Sequence, residues 1–157
     1  MRGCEQVAAV CFRVRRGQIE FLLVQTRGGR WIFPKGSAEP GLTNSQAAAL
    51  EAFEEAGVHG RIEEASFARY IRRKPARSAD SSALEVTTSA HLCEVSRLDS
   101  PSEPNRNPTW FSADKAKRRL RQERAQEFAS ELTRVVDLAV RRVRLSGRIE
   151  ANRKQAS

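Results

Sequence analysis

The sequence predicts an α+β fold with a mixed sheet and a long C-terminal helix. Two observations lead to this prediction. Short apolar runs bounded by turn residues occupy the first third and the middle of the chain, whereas apolar residues at helical spacing occupy the last third. Because 157 residues suffice for one substantial core, we expect a single domain over residues 1–145 and a polar, flexible tail over 146–157.

Two antiparallel strands and a short third strand are predicted first. An apolar run from Gln6 to Val14 ends in alternation, Gly17 interrupts it, and a second run covers Ile19 to Thr26. The apolar segment 31–33 then forms a brief strand that ends at Pro34, because proline has no backbone N–H to donate.

A loop over 36–42 is expected to lead into a helix at residues 43–56. Thr43 and Gln46 have the spacing of a capping box, in which each side chain accepts a hydrogen bond from the other residue's backbone N–H. Gly57 is a natural C-terminal stop, since glycine adopts the left-handed conformation without strain.

The second half of the chain predicts two more strands and the final helix. The strands cover residues 61–73 and 84–95, with loops at 74–82 and 99–108. Ser112 is a candidate cap for a following helix. The apolar stripe of the final helix comprises Phe128, Leu132, Val135, Val136, Ala139 and Val143.

The net charge indicates an anionic partner. Lys and Arg total 28 against 19 Asp and Glu, which gives a formal charge of +9 and a surface that attracts nucleic acid, acidic membranes or polyphosphorylated small molecules. The apolar runs are too short to span a bilayer, and the N-terminus lacks the apolar segment of a secretory signal. We therefore expect a cytoplasmic protein without a membrane partner.

Three glutamates of the predicted helix form a candidate metal site. Glu51, Glu54 and Glu55 lie at i, i+3 and i+4, so they project from one helical face and can converge on a hard cation. Acidic groups at this spacing are more often solvated helix surface, and the three residues alone favour that alternative.

The segment from Gly36 to Val58 resembles the Nudix box, and the resemblance extends from residue 6 to about 145. In that pattern a glycine is followed at fixed intervals by a glutamate, an Arg-Glu pair, a Glu-Glu pair, a glycine and an aliphatic residue. The residues in register are Gly36, Glu51, Ala52, Glu54, Glu55, Gly57 and Val58. The resemblance implies an α/β/α sandwich and hydrolysis of a phosphoanhydride bond with Mg²⁺ or Mn²⁺.

Two positions depart from the family pattern. Leu42 stands where the first glutamate is expected, and Leu50 stands where the arginine is expected. In relatives that arginine helps to orient the catalytic carboxylates through ion pairing. Our hypothesis is that the two leucines pack where polar contacts usually lie in relatives and so keep loop and helix docked without charge.

By resemblance, Glu51, Glu54 and Glu55 are the metal ligands and catalytic groups, and the Gly36 carbonyl completes the metal shell. One glutamate takes the proton from water, and which one stays open. Glu103 falls where relatives often place an additional catalytic glutamate, so it is a further candidate carboxylate.

Basic residues near the box are candidates for phosphate binding. Lys35 and Arg30 are placed to reach anionic oxygens, whereas solvated surface charge is the favoured interpretation of Arg27. A second basic cluster, near a loop that could meet a polyphosphate chain, comprises Arg72, Arg73, Lys74 and Arg77, although such clusters are more often solvated. Tyr70 and Trp110 are candidates for stacking on a base, although core packing is favoured for Trp110.

The predicted function is metal-dependent hydrolysis of a nucleoside diphosphate derivative, a dinucleoside polyphosphate or a diphosphoinositol polyphosphate. The segment 29–36 is similar to the branch that acts on the last two classes, and the basic charge suits such anions. The alternative is a degenerate Nudix domain that binds nucleotide or RNA without hydrolysis, which Leu42, Leu50 and the basic C-terminal third motivate. We expect an anionic phosphorylated small molecule as partner rather than nucleic acid, and the sequence leaves the oligomeric state open.

Overall fold

The computed structural model describes residues 2–76, 78 and 83–147. Over these residues the chain forms eight strands and three helices. In chain order they are β1 (Arg2–Arg15), β2 (Gln18–Gln25), β3 (Trp31–Ile32), β4 (Lys35–Ser37), α1 (Asn44–Ala56), β5 (Val58–Ile62), β6 (Ala68–Lys74), β7 (Leu84–Leu98), β8 (Thr109–Ser112), α2 (Ala113–Arg121) and α3 (Gln126–Leu145).

One mixed sheet is built around the long strands β1 and β7. These two strands run parallel, whereas every other pairing in the sheet is antiparallel. The predicted hairpin of β1 and β2 is confirmed, and Arg16 and Gly17 turn the chain with φ of 53° and 76°. The α+β class, the mixed sheet and the long C-terminal helix are therefore confirmed.

Local signals position α1 as the sequence predicted. The Thr43 hydroxyl accepts a hydrogen bond from the Gln46 amide at 3.1 Å, and the Gln46 side chain accepts one from the Thr43 amide at 2.9 Å. At the other end Gly57 has φ of 70°, and a Cβ at this position would overlap the Asp99 carbonyl. The helix therefore ends where glycine permits both the left-handed turn and the close approach of the following loop.

The helices bury the apolar positions that the sequence singled out. Along α3 five of the six predicted stripe residues are buried, and Phe128 packs against the core while remaining half-buried. This helix packs against α2 and β6, and α1 packs against β1. None of the helices in the described ranges is long and apolar enough to cross a membrane.

The single strand predicted over 61–73 is wrong, because the structure has two strands there. Both β5 and β6 pair with β7, but β5 pairs with residues 93–98 of that strand and β6 with residues 84–90. Only residues 91 and 92 of β7 lie between these two stretches, whereas five residues, 63–67, connect β5 to β6. The connection therefore cannot pair residue by residue with β7, and the strand is interrupted there.

One smaller expectation also needs correction. The expected loop 36–42 begins with β4, which pairs with β1 at residues 6–8. Leu42 is 38% exposed and Leu50 is half-buried, so the hypothesis that these leucines dock the loop onto α1 stays a prediction. Of the expected flexible tail, residues 148–157 lie outside the described part of the chain.

Candidate functional site

The three glutamates of α1 occupy different environments. Glu55 is 1% exposed, whereas Glu51 and Glu54 remain partly accessible. The backbone N–H of Lys35, in β4, donates to Glu55 Oε2 at 3.3 Å. The most buried carboxylate of the helix is thus attached to the strand that precedes it.

Gly36 allows β4 to approach the Glu51 carboxylate. A Cβ at residue 36 would overlap the oxygens and the carbon of that carboxylate. Any side chain at position 36 therefore has to displace Glu51, which gives the first glycine of the box a steric reason. The absence of a side chain at Gly36 also lets its backbone lie beside the Glu51 carboxylate, as the resemblance to the Nudix box implies.

Glu51 and Glu55 are brought together. Burial and a hydrogen bond with Glu51 raise the pKa of Glu55 to about 8, against the lowering effect of Arg106. Burial, and then the charges of Glu51, Glu103 and Glu39, raise the pKa of Glu54. The site therefore crowds like charges, which favours the protonated forms unless a cation intervenes.

The loop between β7 and β8 completes the acidic site. The backbone N–H of Glu103 donates to the Glu54 carbonyl at 2.9 Å, and that of Asp99 donates to the Gly57 carbonyl at 2.8 Å. These bonds satisfy carbonyls that the end of a helix leaves free. The same two hydrogen bonds place Glu103 close enough for its charge to act on Glu54 and Glu55. Glu103 is the further candidate carboxylate named from the sequence.

Arg106, in the same loop, was not anticipated from the sequence. Its Nη2 lies 3.5 Å from Glu55 Oε1, and its Nε donates to Glu103 Oε2 at 2.9 Å. The only local signal was the spacing of three residues between Glu103 and Arg106. Arg106 and Glu55 are far apart in the sequence, and no sequence pattern indicates that their side chains are in contact.

Within the described residues, no three acidic, histidine or cysteine side chains form a complete metal-binding group by themselves. The structure brings Glu51 and Glu55 together beside Gly36, and the charges of Glu51 and Glu103 both act on Glu54. A pair of carboxylates still suits Mg²⁺, which retains several waters and completes its octahedron with substrate oxygens. The donor set, made of oxygens alone, fits a hard cation.

A basic cleft lies next to the acidic site and includes the Lys35 side chain. The cavity volume of this cleft is about 80 Å³, which is below the roughly 300–1,000 Å³ of typical small-molecule sites, so the cleft can hold part of a ligand. Its basic residues are Arg30, Lys35, Arg72, Lys74 and Arg124, and its apolar and aromatic wall includes Ile32, Tyr70, Val86 and Phe128.

No carboxylate of the described residues forms an ion pair with any basic side chain of this cleft. Burial, and then the charges of Arg30 and Arg72, lower the pKa of Arg124 to about 10. Burial also lowers the pKa of Lys35, partly offset by the charge of Glu55. The cations repel one another, so an anion in the cleft would relieve the repulsion.

The Tyr70 hydroxyl adds an unpaired donor to the cleft. Tyr70 is 2% exposed, and its hydroxyl has no hydrogen-bond partner among the described residues. Burial raises the pKa of this phenol above its usual value, so it remains a neutral donor at physiological pH. Unpaired buried donors of this kind are rare and are satisfied by a ligand or water.

The remaining sequence candidates lie outside this cleft. Arg27 is exposed and borders a hollow shared with Glu103 and Arg106. Arg73 forms surface ion pairs with Glu85 and Glu127, which agrees with a solvated role. Arg77 lies outside the described residues.

Trp110 is half-buried, and its ring packs beneath the guanidinium of Arg13 at 4.2 Å from the ring centroid. This contact favours the structural alternative to base stacking. Arg124, by contrast, lies in the cleft and was missed, because no sequence pattern distinguishes it from the other basic residues of 115–124.

Comparison with known proteins identifies the family. The family model described as NUDIX domain matches residues 5–132. The chain belongs to the Nudix family. As a Nudix protein it is a pyrophosphohydrolase, the class of enzyme that the resemblance of residues 36–58 predicted.

Solved structures share the Nudix fold at low sequence identity. A C. elegans Ap4A hydrolase binary complex is 22% identical with a TM-score of 0.61, covering 92% of this chain and 98% of that one. The NUDIX domain of Shewanella oneidensis NrtR, complexed with ADP ribose, is 17% identical with a TM-score of 0.65, covering 91% and 90%. A NUDIX hydrolase from Nitrosomonas europaea is 19% identical with a TM-score of 0.59, covering 92% and 90%.

Proposed function

We propose that this Nudix protein uses Mg²⁺ or Mn²⁺ to hydrolyse a phosphoanhydride bond in a small molecule that carries several phosphates. The observation that carries the proposal is the position of Lys35. Its backbone N–H donates to the buried Glu55 carboxylate, while its side chain lines the basic cleft. A carboxylate site for a metal and a cationic site for phosphates are thus adjacent.

Glu51, Glu54 and Glu55, with the Gly36 carbonyl, are the proposed metal ligands. The close contact of Glu51 with Gly36 and Glu55 supports this assignment. A divalent ion bound there neutralises phosphate charge and lowers the pKa of a bound water. The Glu51 and Glu55 carboxylates repel each other when both are charged, and a cation between them would offset this repulsion.

A carboxylate must also accept the proton of the attacking water. Glu54 and Glu103 are candidates for this base, because both are partly accessible and their backbones are joined by a hydrogen bond. Lys35 and Arg30 hold phosphate oxygens in the cleft, and their charges orient the substrate toward α1.

The composition of the cleft supports a highly anionic substrate. Five basic side chains and the Tyr70 hydroxyl present hydrogen-bond donors there. We therefore rank dinucleoside polyphosphates and diphosphoinositol polyphosphates ahead of simple nucleoside diphosphate derivatives.

Phosphate release from a panel of nucleotides and inositol pyrophosphates, with Mg²⁺ and with Mn²⁺, tests the proposal. We expect metal-dependent release that is fastest with the most highly phosphorylated substrates and is lost in Glu54→Gln. If no substrate is hydrolysed while RNA or nucleotide binds with a steep salt dependence, the domain is a binding module instead.

A further inference from the structure

The helix that carries the acidic site has no basic residue of its own. The thirteen residues of α1 include three glutamates but no lysine or arginine, and Leu50 precedes the first of these glutamates. A buried carboxylate such as Glu55 requires polar partners from elsewhere in the chain. The Lys35 backbone N–H is one such partner, and the Arg106 guanidinium is the cation nearest to it among the described residues.

Arg106 is itself held in place by strand β2. Its carbonyl accepts a hydrogen bond from the Gln25 N–H at 2.7 Å, and its Nη1 donates to the Gln25 carbonyl at 3.3 Å. The other edges of the guanidinium face Glu103 and Glu55. A planar group with donors in fixed directions can hold two carboxylates at once, which the single ammonium of lysine does less well.

We propose that Arg106 is a positioning residue that holds the Glu55 and Glu103 carboxylates in their orientation for metal binding and catalysis. The task falls to the loop between β7 and β8 because position 50 of α1 carries leucine. This inference rests on the proposed function, since it assumes that Glu55 binds the metal.

Metal affinity distinguishes a positioning role from a bystander charge. If Arg106 were only a nearby cation, its removal would strengthen binding of a divalent ion, because a repulsive charge would leave the site. If Arg106 positions Glu55, its removal lets that carboxylate rotate away and weakens binding. The two roles therefore predict opposite signs for one measurement.

The test compares the full-length wild type with Arg106→Met and the control Arg142→Met. Arg142, on α3, is a matched control because its guanidinium also pairs with a glutamate, Glu63, at 3.1 Å. Neither residue of this pair belongs to the acidic site. Mn²⁺ binding is measured calorimetrically without substrate, and kcat and KM are measured separately. We expect Arg106→Met to lose about 10–100-fold in Mn²⁺ affinity and kcat, as is usual when a partner of a metal ligand is removed, with little change in KM.

Each result supports or overturns the inference. Equal or tighter Mn²⁺ binding by Arg106→Met, or an unchanged kcat, overturns it and leaves the proposed function intact. If the wild type neither binds Mn²⁺ nor hydrolyses any substrate, the inference and the proposed function both fail. If Arg106→Met does not fold, Arg106→Lys replaces it, because lysine keeps the charge but lacks the planar set of donors that holds both carboxylates in fixed directions. Unchanged kcat and Mn²⁺ affinity in Arg106→Lys would equally overturn the inference.

Discussion

The acidic site on α1 and the basic cleft meet at Lys35, and they differ in how their charges are balanced. In the acidic site, Glu51 and Glu55 are crowded together, but one guanidinium and one backbone N–H partly compensate them. The cleft gathers five basic side chains, none of which pairs with a carboxylate of the described residues. The acidic site is therefore partly organised in advance, whereas the cleft depends on an anionic ligand. Changes on the acidic side should affect turnover, and changes in the cleft should affect substrate affinity.

The largest effect is expected for Glu54→Gln. The change keeps the size of a partly accessible side chain but removes its charge, so the fold is retained and turnover falls by about 10²–10⁴-fold, the range for loss of a group that activates water. Steady-state kinetics and circular dichroism measure the two outcomes. Glu64→Gln is the control, because Glu64 is exposed outside the site. Turnover that survives in Glu54→Gln would remove Glu54 from the catalytic groups.

Gly36→Ala should have the next largest effect. The added methyl group displaces the Glu51 carboxylate, so we expect Mn²⁺ affinity and kcat to fall by about 10–100-fold, as for other disturbances of a metal ligand's surroundings. Gly28→Ala is the matched control, because its Cβ would meet nothing closer than the Thr26 hydroxyl at 3.9 Å. If Gly36→Ala and Gly28→Ala have the same Mn²⁺ affinity and kcat, metal binding and turnover do not depend on the observed position of the Glu51 carboxylate.

A smaller effect, confined to affinity, is expected in the cleft. Arg124→Gln removes one of the cations that an anionic substrate would neutralise, so KM for an inositol pyrophosphate should rise about tenfold, as expected for one hydrogen bond to a charged group. The value of kcat should change little. Arg118→Gln, on the exposed surface of α2, is the control. If KM for ADP-ribose rises equally, the cleft holds the pyrophosphate common to both substrates and does not select for further phosphates.

The smallest effect is expected for Leu42→Ser. Because Leu42 is 38% exposed, its replacement should change the free energy of unfolding by less than about 0.5 kcal/mol and leave kcat unchanged. Denaturant unfolding and the standard assay measure both quantities. A large loss of stability would support the hypothesis that this leucine docks the loop onto α1.

Features governed by neighbouring residues were predictable, whereas those governed by distant pairing were not. The capping box at Thr43 and the stop at Gly57 fix α1 locally, so the positions of its three glutamates on one helix followed from the sequence. The break between β5 and β6 depends on which residues of β7 each strand meets, and no local pattern records that choice.

The same division applies to the candidate site. Lys35 and Arg30 lie close to the box in sequence and were anticipated, as was the region of Glu103. Arg106 and Arg124 come from the β7–β8 loop and from between α2 and α3, so only the folded chain brings them to the site. The unpaired hydroxyl of Tyr70 likewise has no sequence signature, because its surroundings are assembled from several strands.

Lys35 offers a single probe for events on both sides of the site. Its amide hydrogen bonds to Glu55, and its ammonium group lies within the cleft, so the two environments act on one residue from different directions. In a nuclear magnetic resonance titration the amide resonance of Lys35 should shift when Mg²⁺ is added, and the Nζ resonance should shift when inorganic tripolyphosphate is added. One isotopically labelled residue would then report the order in which metal and phosphates arrive.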